Sequence, residues 1–236
     1  MWCSCQWLLL RWDTVKDATQ DDPIFLIPAP ALRTLNAHRD NMAIISLLPE
    51  NAKPLFRLAH RALRCFCMGR GIFVARFGYL SSVQLVIMLV SETLRQGPDL
   101  TSASKLLQGF FATYGSFRWE VSDIAIPGFP VSPIARDIRS PMSILSIHRP
   151  QRNLAENVVL PTRSEISTQF SSASQMLKSI TSWGSVFQPN DSALMADRFL
   201  HTYSEYIRIR IIHWGRDPHQ GYSLIGYCES QLTGVR

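Results

Sequence analysis

The sequence lacks the long hydrophobic runs and the cysteine framework that mark membrane-spanning and secreted proteins. Its most apolar internal run, Leu85 to Val90, is far shorter than the roughly 20 residues that a membrane-spanning helix needs. The first ten residues contain no positively charged region ahead of an apolar run, so no signal peptide is expected. The 5 cysteines are an odd count without regular spacing. We therefore expect a soluble intracellular protein with reduced thiols and no membrane association.

Metal-ligand patterns are missing as well. Cys65 and Cys67 lie about 200° apart on a helix, outside the usual zinc spacing, so we interpret them as structural thiols, with Cys65 beside the core and Cys67 between two faces. The 6 histidines form no pair at helical ligand spacing. The sequence therefore predicts no metal site in this chain.

The composition is that of a globular protein with excess positive charge. Hydrophobic residues make up 46% of the 236 residues, which is enough to bury a core. The 24 Lys and Arg outnumber the 18 Asp and Glu, giving a net charge of +6. This excess favours a polyanionic partner such as nucleic acid or an anionic membrane surface.

Apolar periodicity predicts a mainly helical domain in the first 190 residues. A proline-rich stretch from Phe117 to Pro161 is expected to be an extended layer wrapped on the helices. The expected helices are one ending at Pro49, one from near Lys53 to Gly69, one from Val83 to Leu94, one opened by Pro98 and Thr101, and one opened by a capping box of Thr162 and Glu165.

The second of these helices has two contrasting faces. Its apolar side is predicted to carry Leu55, Ala59, Ala62, Leu63 and Phe66. The opposite side carries the basic residues Lys53, Arg57, Arg61 and Arg64. A stripe of this kind is either a solvated face or a surface that contacts RNA phosphates.

The C-terminal segment predicts a different structure. Tyr206 to Ile212 alternates polar and aliphatic residues, which indicates a half-buried strand, and Gly221 to Leu232 is predicted to form a helix. Arg208 and Arg210 share one strand face. They are candidates for RNA contact, although the solvent face of an edge strand explains them equally well.

A series of short patterns, in one order, resembles eukaryotic nuclear poly(A) polymerases. In the central domain of that family, Phe56 to Arg64 resembles F-R-x-x-L-R-A-I-K, Ile72-Phe73 resembles I-Y-x-N, and Phe77 to Val83 resembles F-G-x-x-G-G-V. The other matches to that domain are Leu35-Asn36 with Arg39, Phe110-Phe111 with Phe117-Arg118-Trp119, Met142 to Val158, and Thr162-Arg163. Tyr206-Ile207 and Gly226 with Glu229-Ser230 resemble the first strand and helix of the family's C-terminal RNA-binding domain. The resemblance covers residues from about 35 to 232.

The resemblance implies a domain organisation. Residues 1–30 form an unplaced segment, and residues 31–192 form a helical domain like the central domain of poly(A) polymerases. Residues 193–236 are expected to begin a truncated α+β, RRM-like RNA-binding domain.

The resemblance also implies an activity. Poly(A) polymerases transfer AMP from ATP to mRNA 3′ ends in the nucleus, using Mg²⁺ or Mn²⁺ bound by carboxylates of a palm domain. Only 34 residues precede Leu35 and none supplies a D-x-D, so we expect a chain that retains no cofactor and is inactive alone. The implied partners are the 3′ end of mRNA and other 3′-end processing proteins. Three alternatives remain open: an adenylyltransferase whose palm is encoded elsewhere, a non-catalytic RNA-binding relic, and a protein-interaction module or decayed gene product.

The family's central domain contributes a Lys and a Tyr to ATP, with an Asn and a Gly-Gly-Val turn nearby. By position these become Arg64, Phe73, Ala75 and the Ser81-Ser82-Val83 turn. Arg64 keeps a charge, Phe73 loses a hydroxyl, Ala75 loses an amide, and the two serines add side chains where glycines let a nucleotide approach. The resemblance therefore implies weak or absent ATP binding. The RNA-binding candidates are Lys53, Arg57, Arg61, Arg208 and Arg210.

Overall fold

Helices dominate the computed structural model, which describes residues 29–129, 140–148, 151–179, 183–187, 210–215 and 217–232. Across these ranges there is no β-strand, and β-pairing is limited to isolated bridges that join Ile124 to Ile144 and Leu145 to Asn153. The chain divides into two compact units, 1–187 and 188–236. No helix in the described ranges has the length and apolarity to cross a membrane.

The helices predicted from periodicity in the first unit are present. They are α1 (Ala29–Leu47), α2 (Ala52–Gly69), α3 (Ser82–Gln96), α4 (Ala103–Gly115) and α5 (Leu160–Ser179), followed by the single turn α6 (Gly184–Phe187). Short 3₁₀ turns lie at Ala75–Phe77 and Gly97–Asp99. The mainly helical fold class is thus confirmed.

Local hydrogen bonds explain where α2 ends. Gly71 adopts φ +72°, a conformation that disfavours residues with a Cβ. The Ile72 N–H donates to the Cys67 carbonyl at 2.9 Å and the Gly71 N–H donates to the Met68 carbonyl at 3.1 Å. This Schellman arrangement satisfies the last carbonyls of the helix and turns the buried Ile72 back onto the core.

Two helix starts differ from the sequence prediction. The α4 cap is Ser102, whose hydroxyl accepts the Lys105 N–H at 3.1 Å, rather than Thr101. α5 begins at Leu160, so Thr162 lies within its first turn and does not cap it. The Thr162 hydroxyl instead accepts the Val159 N–H at 3.1 Å. The α4 prediction was wrong because two adjacent hydroxyl residues compete for the cap, and the α5 prediction was wrong because the helix already begins before Thr162.

The core of the first unit is an aromatic cluster between α2, α4 and α5. Phe66 meets Phe111 with ring centroids 4.9 Å apart, and Phe170 lies 5.4 Å from Phe110 and 5.8 Å from Phe111. All four rings are buried, and their tilted, edge-on contacts are the favoured geometry for aromatic pairs. Gly115 permits α4 and α5 to approach, since a Cβ there would come within 2.9 Å of the Ser171 Cα.

The buried face of α2 is rotated from its predicted position. Phe56 and Cys67 are buried, whereas Leu55 and Ala62 are only partly buried and Cys65 is exposed. The expected placement of the two cysteines was therefore wrong. α2 contacts α3, α4 and α6, so three neighbours, and not the apolar stripe alone, determine which residues are covered.

The described parts of the segment from Phe117 to Val159 form the expected irregular layer, with 142–147 all buried. Asn153 holds this layer together. Its Oδ1 accepts the N–H groups of Ile144 at 3.0 Å and Ala155 at 2.9 Å, and its Nδ2 donates to the Met142 carbonyl at 2.8 Å. A buried amide satisfied in this way replaces the backbone pairing that a sheet would provide.

The second unit contains α7 (Pro218–Leu232), which begins three residues before the predicted helix. The Asp217 carboxylate accepts the His219 N–H at 2.9 Å and caps it. Arg210 to Ile212 is not a strand, so the predicted strand is wrong over these residues and the RRM-like fold is not supported. An alternating sequence forms a strand only beside a partner that accepts its backbone hydrogen bonds, and the described residues supply none. Tyr206 to Ile209 lie outside the described residues.

Candidate functional site

A long segment of the first unit carries charge of one sign only. No Asp or Glu lies between Glu50 and Glu92, whereas Lys53, Arg57, Arg61, Arg64, Arg70 and Arg76 all do. We call residues 51–91 the acid-free segment. It comprises α2, the Ala75–Phe77 turn and the first two-thirds of α3, so the folded unit holds this charge in a compact region.

Of the four basic residues predicted to line one face of α2, only the three arginines are both exposed and without a carboxylate partner among the described residues. Arg57, Arg61 and Arg64 are exposed, and no carboxylate within the described ranges pairs with them. Lys53 is partly buried and its ammonium pairs with Glu50. The three guanidinium groups follow one face at helical spacing. They are therefore available to a polyanion in a way that Lys53 is not.

The acid-free segment has three arginine–aromatic pairs among the described residues: one is Arg70 over the buried Phe66, and the other two involve rings that are not fully buried. The Arg64 guanidinium carbon is 5.6 Å from the centroid of the Phe73 ring, and that of Arg76 is 5.0 Å from the Phe77 ring centroid. Both distances are within the range for cation–π attraction. Ala75 opens the turn between the two pairs and has no side chain beyond Cβ to offer a ligand.

Gly78 packs the turn that follows Phe77 against Asn157 and the first turn of α5. Its φ is +82°, and a Cβ there would lie 2.8 Å from the Asn157 carbonyl oxygen and 3.2 Å from the Thr162 hydroxyl oxygen. Its N–H donates to the Ala75 carbonyl at 3.1 Å. Glycine is therefore required twice here, by the backbone conformation and by the close approach.

The Ser81-Ser82-Val83 turn is closed by a capping box. The Ser81 N–H donates to Gln84 Oε1 at 2.6 Å, and the Gln84 N–H donates to the Ser81 hydroxyl at 3.4 Å. Gln84 Nε2 also donates to the Leu154 carbonyl at 2.7 Å. Two of the N–H groups that a helix N-terminus can offer an anion are therefore already used.

A cleft of ≈ 570 Å³ lies between α1, the start of α3 and the irregular layer. Ser81, Ser82 and Val83 line it, so three of the six nucleotide-binding positions predicted from the sequence are brought together there. Arg64, Phe73 and Ala75 are not among its lining residues. The cleft is also lined by Asn36, Ala37, Asp40, Asn41, Ile44, Val86, Ile87, Ser146, Gln151, Arg152, Leu154 and Glu156.

The lining of the cleft is mostly apolar and amide in character. Its charged groups are the carboxylates of Asp40 and Glu156 and the guanidinium of Arg152. Asp40 is buried and structural: its carboxylate accepts the His148 N–H at 3.0 Å and lies 2.8 Å from His148 Nδ1. Such a lining suits an uncharged base or ribose better than a chain of phosphates.

His60 connects the basic face of α2 with the cleft. Burial, and then the neighbouring Arg64, lower the pKa of His60, while contact with the Ser82 backbone partly opposes this shift. Its ring stacks on that of Phe56 with the centroids 6.4 Å apart, and its buried Nε2 has no hydrogen-bond partner among the described residues. His60 is therefore neutral near pH 7 and adds no charge to the arginine face.

Sequence reasoning missed most of the cleft. Asn36 belongs to a matched pattern but was given no role, and its Oδ1 accepts from Arg39 Nη1 at 3.3 Å. The position of Asp40 depends on His148, 108 residues away, and no local signal predicts that contact. Arg208 lies outside the described residues. Arg210 is exposed in the second unit.

The described residues contain no group of three or more His, Cys, Asp or Glu side chains placed to hold a metal ion. The described part of the site offers charge, aromatic faces and a cleft.

Comparison with known proteins gives a distant relative. The chain is 24% identical over 231 residues to a protein described as poly(A) polymerase from Dictyostelium discoideum. The match covers 93% of this chain and 27% of that relative, so the chain spans about a quarter of the relative's length. No family model matches. The chain thus has a weak similarity to a poly(A) polymerase, in agreement with the family resemblance of its sequence patterns.

Proposed function

We propose that this chain binds single-stranded RNA through the arginine face of α2 and the adjoining cleft, as the nucleotide-facing part of a polyadenylation-related protein. The observation that carries the proposal is that Arg57, Arg61 and Arg64 are exposed and that no carboxylate in the part of the chain that the structure describes pairs with them. The distant relationship to a poly(A) polymerase supports it. A nuclear site of action and other 3′-end processing proteins as partners belong to the same proposal.

The division of labour within the site follows from charge. Phosphates gain from the arginine face, because no carboxylate among the described residues pairs with it, whereas the cleft has two carboxylates and one guanidinium. A base or ribose is therefore the part of a nucleotide that the cleft accepts. In the capping box, the N–H groups of Ser81 and Gln84 are already hydrogen-bonded and are not available to a phosphate. We therefore infer that ATP binds weakly.

Nucleotide transfer is not assigned to these residues. A two-metal transfer requires grouped carboxylates, and the sequence has no D-x-D. Incubation with ATP, Mn²⁺ and oligo(A) is expected to give no extension of the oligonucleotide. Extension that survives removal of contaminating enzymes would contradict this part of the proposal.

RNA binding is tested by fluorescence anisotropy of labelled oligo(A) between 50 and 200 mM salt, roughly the range in which phosphate contacts dominate affinity. Three phosphate contacts give a log–log salt slope of about −2, using about −0.7 per contact to a single strand. Arg57→Gln, Arg61→Gln and Arg64→Gln should each reduce the slope by about 0.7. Lys178→Gln, an exposed basic residue in the last turn of α5, is the matched control.

Two results would refute the proposal. One is absence of oligo(A) binding at low salt, which would favour a protein-interaction role. The other is an equal effect of the α2 variants and Lys178→Gln, which would make the binding non-specific. A low-micromolar affinity for ATP that Arg64→Ala abolishes would refute the inference of weak ATP binding while leaving RNA binding intact.

A further inference from the structure

The turn after α2 exposes an aromatic residue that the core does not require. Phe77 is 42% exposed and the neighbouring Val74 is 40% exposed. The Arg76 guanidinium carbon lies 5.0 Å from the Phe77 ring centroid. Neither Arg76 nor Phe77 lines the cleft. The pair is therefore a separate surface feature from the cleft and from the arginine face of α2.

The turn that carries the pair is held from both sides. The Phe77 N–H donates to the Val74 carbonyl at 3.0 Å, and the Tyr79 N–H donates to the same carbonyl at 3.3 Å. Gly78 packs against the Asn157 carbonyl, as described above. Because the backbone that carries the Phe77 ring is held in this way, little conformational entropy of the turn is lost when a ligand stacks on the ring.

We propose that Phe77 and Arg76 form a base-stacking subsite for single-stranded RNA. The inference rests on the proposed RNA-binding function and adds a second kind of contact to it. Aromatic rings and guanidinium planes are the surfaces on which unpaired bases stack. The two arginine–aromatic pairs, at Phe73 and Phe77, lie in a segment without carboxylates. That combination matches a polyanion with exposed ring faces, whereas an acidic peptide would need only the charge.

The subsite is tested with the full chain and an oligo(A) strand that contains 2-aminopurine, whose emission is quenched by stacking. Phe77→Leu keeps an apolar side chain and removes the ring. It should weaken binding by at least about fivefold, the lower end of a stacking contribution, reduce the quenching and leave the salt slope unchanged. Phe77→Tyr should keep both affinity and quenching. Val121→Ala, which alters a residue 56% exposed outside the acid-free segment, is the control.

Arg76→Gln is a second variant, which keeps the Phe77 ring and removes the guanidinium beside it, and it should also weaken binding and quenching. Thermal unfolding of each variant shows whether a loss reflects unfolding. If the unaltered chain binds no oligo(A), the proposed function fails and the subsite fails with it. If the chain binds but Phe77→Leu matches it in affinity and quenching, the subsite alone is refuted. An equal loss of affinity for inorganic polyphosphate, which has no bases, would also refute stacking.

Discussion

Gly78→Ala tests whether the segment after α2 depends on the close approach to Asn157. The substitution has two costs. A residue with a Cβ at φ +82° loses roughly 1–2 kcal/mol relative to an allowed conformation. The added Cβ would also lie 2.8 Å from the Asn157 carbonyl oxygen, and overpacking of this kind typically costs about 1–3 kcal/mol.

Gly71→Ala separates these two costs. Gly71 has φ +72° but no atom within 4 Å of its ideal Cβ. This variant therefore carries the backbone cost without the steric one. The difference between the two variants, about 1–3 kcal/mol, is the steric cost of placing a Cβ against the Asn157 carbonyl oxygen.

Urea unfolding followed by circular dichroism measures the difference. With an m-value of about 1–3 kcal/mol/M, the midpoint for Gly78→Ala should fall below that for Gly71→Ala by roughly 1 M. Equal midpoints would refute the steric argument, because both glycines would then contribute only their positive φ. A displaced turn should also move Phe77, so Gly78→Ala is expected to weaken oligo(A) binding more than Gly71→Ala does.

Three further predictions concern buried polar groups and thiols. Because folding lowers the pKa of His60, the unfolded chain takes up a proton on this side chain near pH 6.5, whereas the folded chain takes it up only at lower pH. The free energy of unfolding should therefore fall as the pH falls below 6.5. His60→Gln should reduce this pH dependence, measured by urea unfolding at pH 7 and pH 5. Arg64→Gln should raise the pKa of His60 in an NMR titration, and no change would refute the electrostatic part of the shift. Asp40→Ala should cost about 1–3 kcal/mol in urea unfolding by leaving buried N–H groups unpaired, and a cost near zero would show that water replaces the carboxylate. Burial raises the pKa of the Cys67 thiol, so iodoacetamide at pH 8 should alkylate the exposed Cys65 and leave Cys67 unmodified. Peptide mass mapping identifies the alkylated residue. Alkylation of both thiols would contradict the buried position of Cys67.

The sequence predicted helix positions better than it predicted helix faces. Periodicity placed α2 and α3 within a few residues because their apolar spacing is regular. It did not predict that Phe56 and Cys67 face the core, because that depends on which neighbours cover α2. Capping was similarly underdetermined, since Thr101 and Ser102 are both acceptable caps by composition.

The site was predictable where it is local and unpredictable where distant segments meet. The arginines of α2 follow from helical spacing alone. The cleft requires α1 to meet the layer that contains His148, and a contact across 108 residues leaves no trace in a single sequence. The role of Gly78 is equally hidden, because the atom that excludes a side chain belongs to Asn157.

The acid-free segment has a consequence for the kinetics of association. The exposed arginines of this segment attract a polyanion from about a Debye length away, roughly 8 Å at physiological ionic strength. Such attraction accelerates encounter more than it slows dissociation. Neutralising Arg57 or Arg61 should therefore reduce the rate of capture first, and RNA should reach this surface quickly even where it is held only briefly.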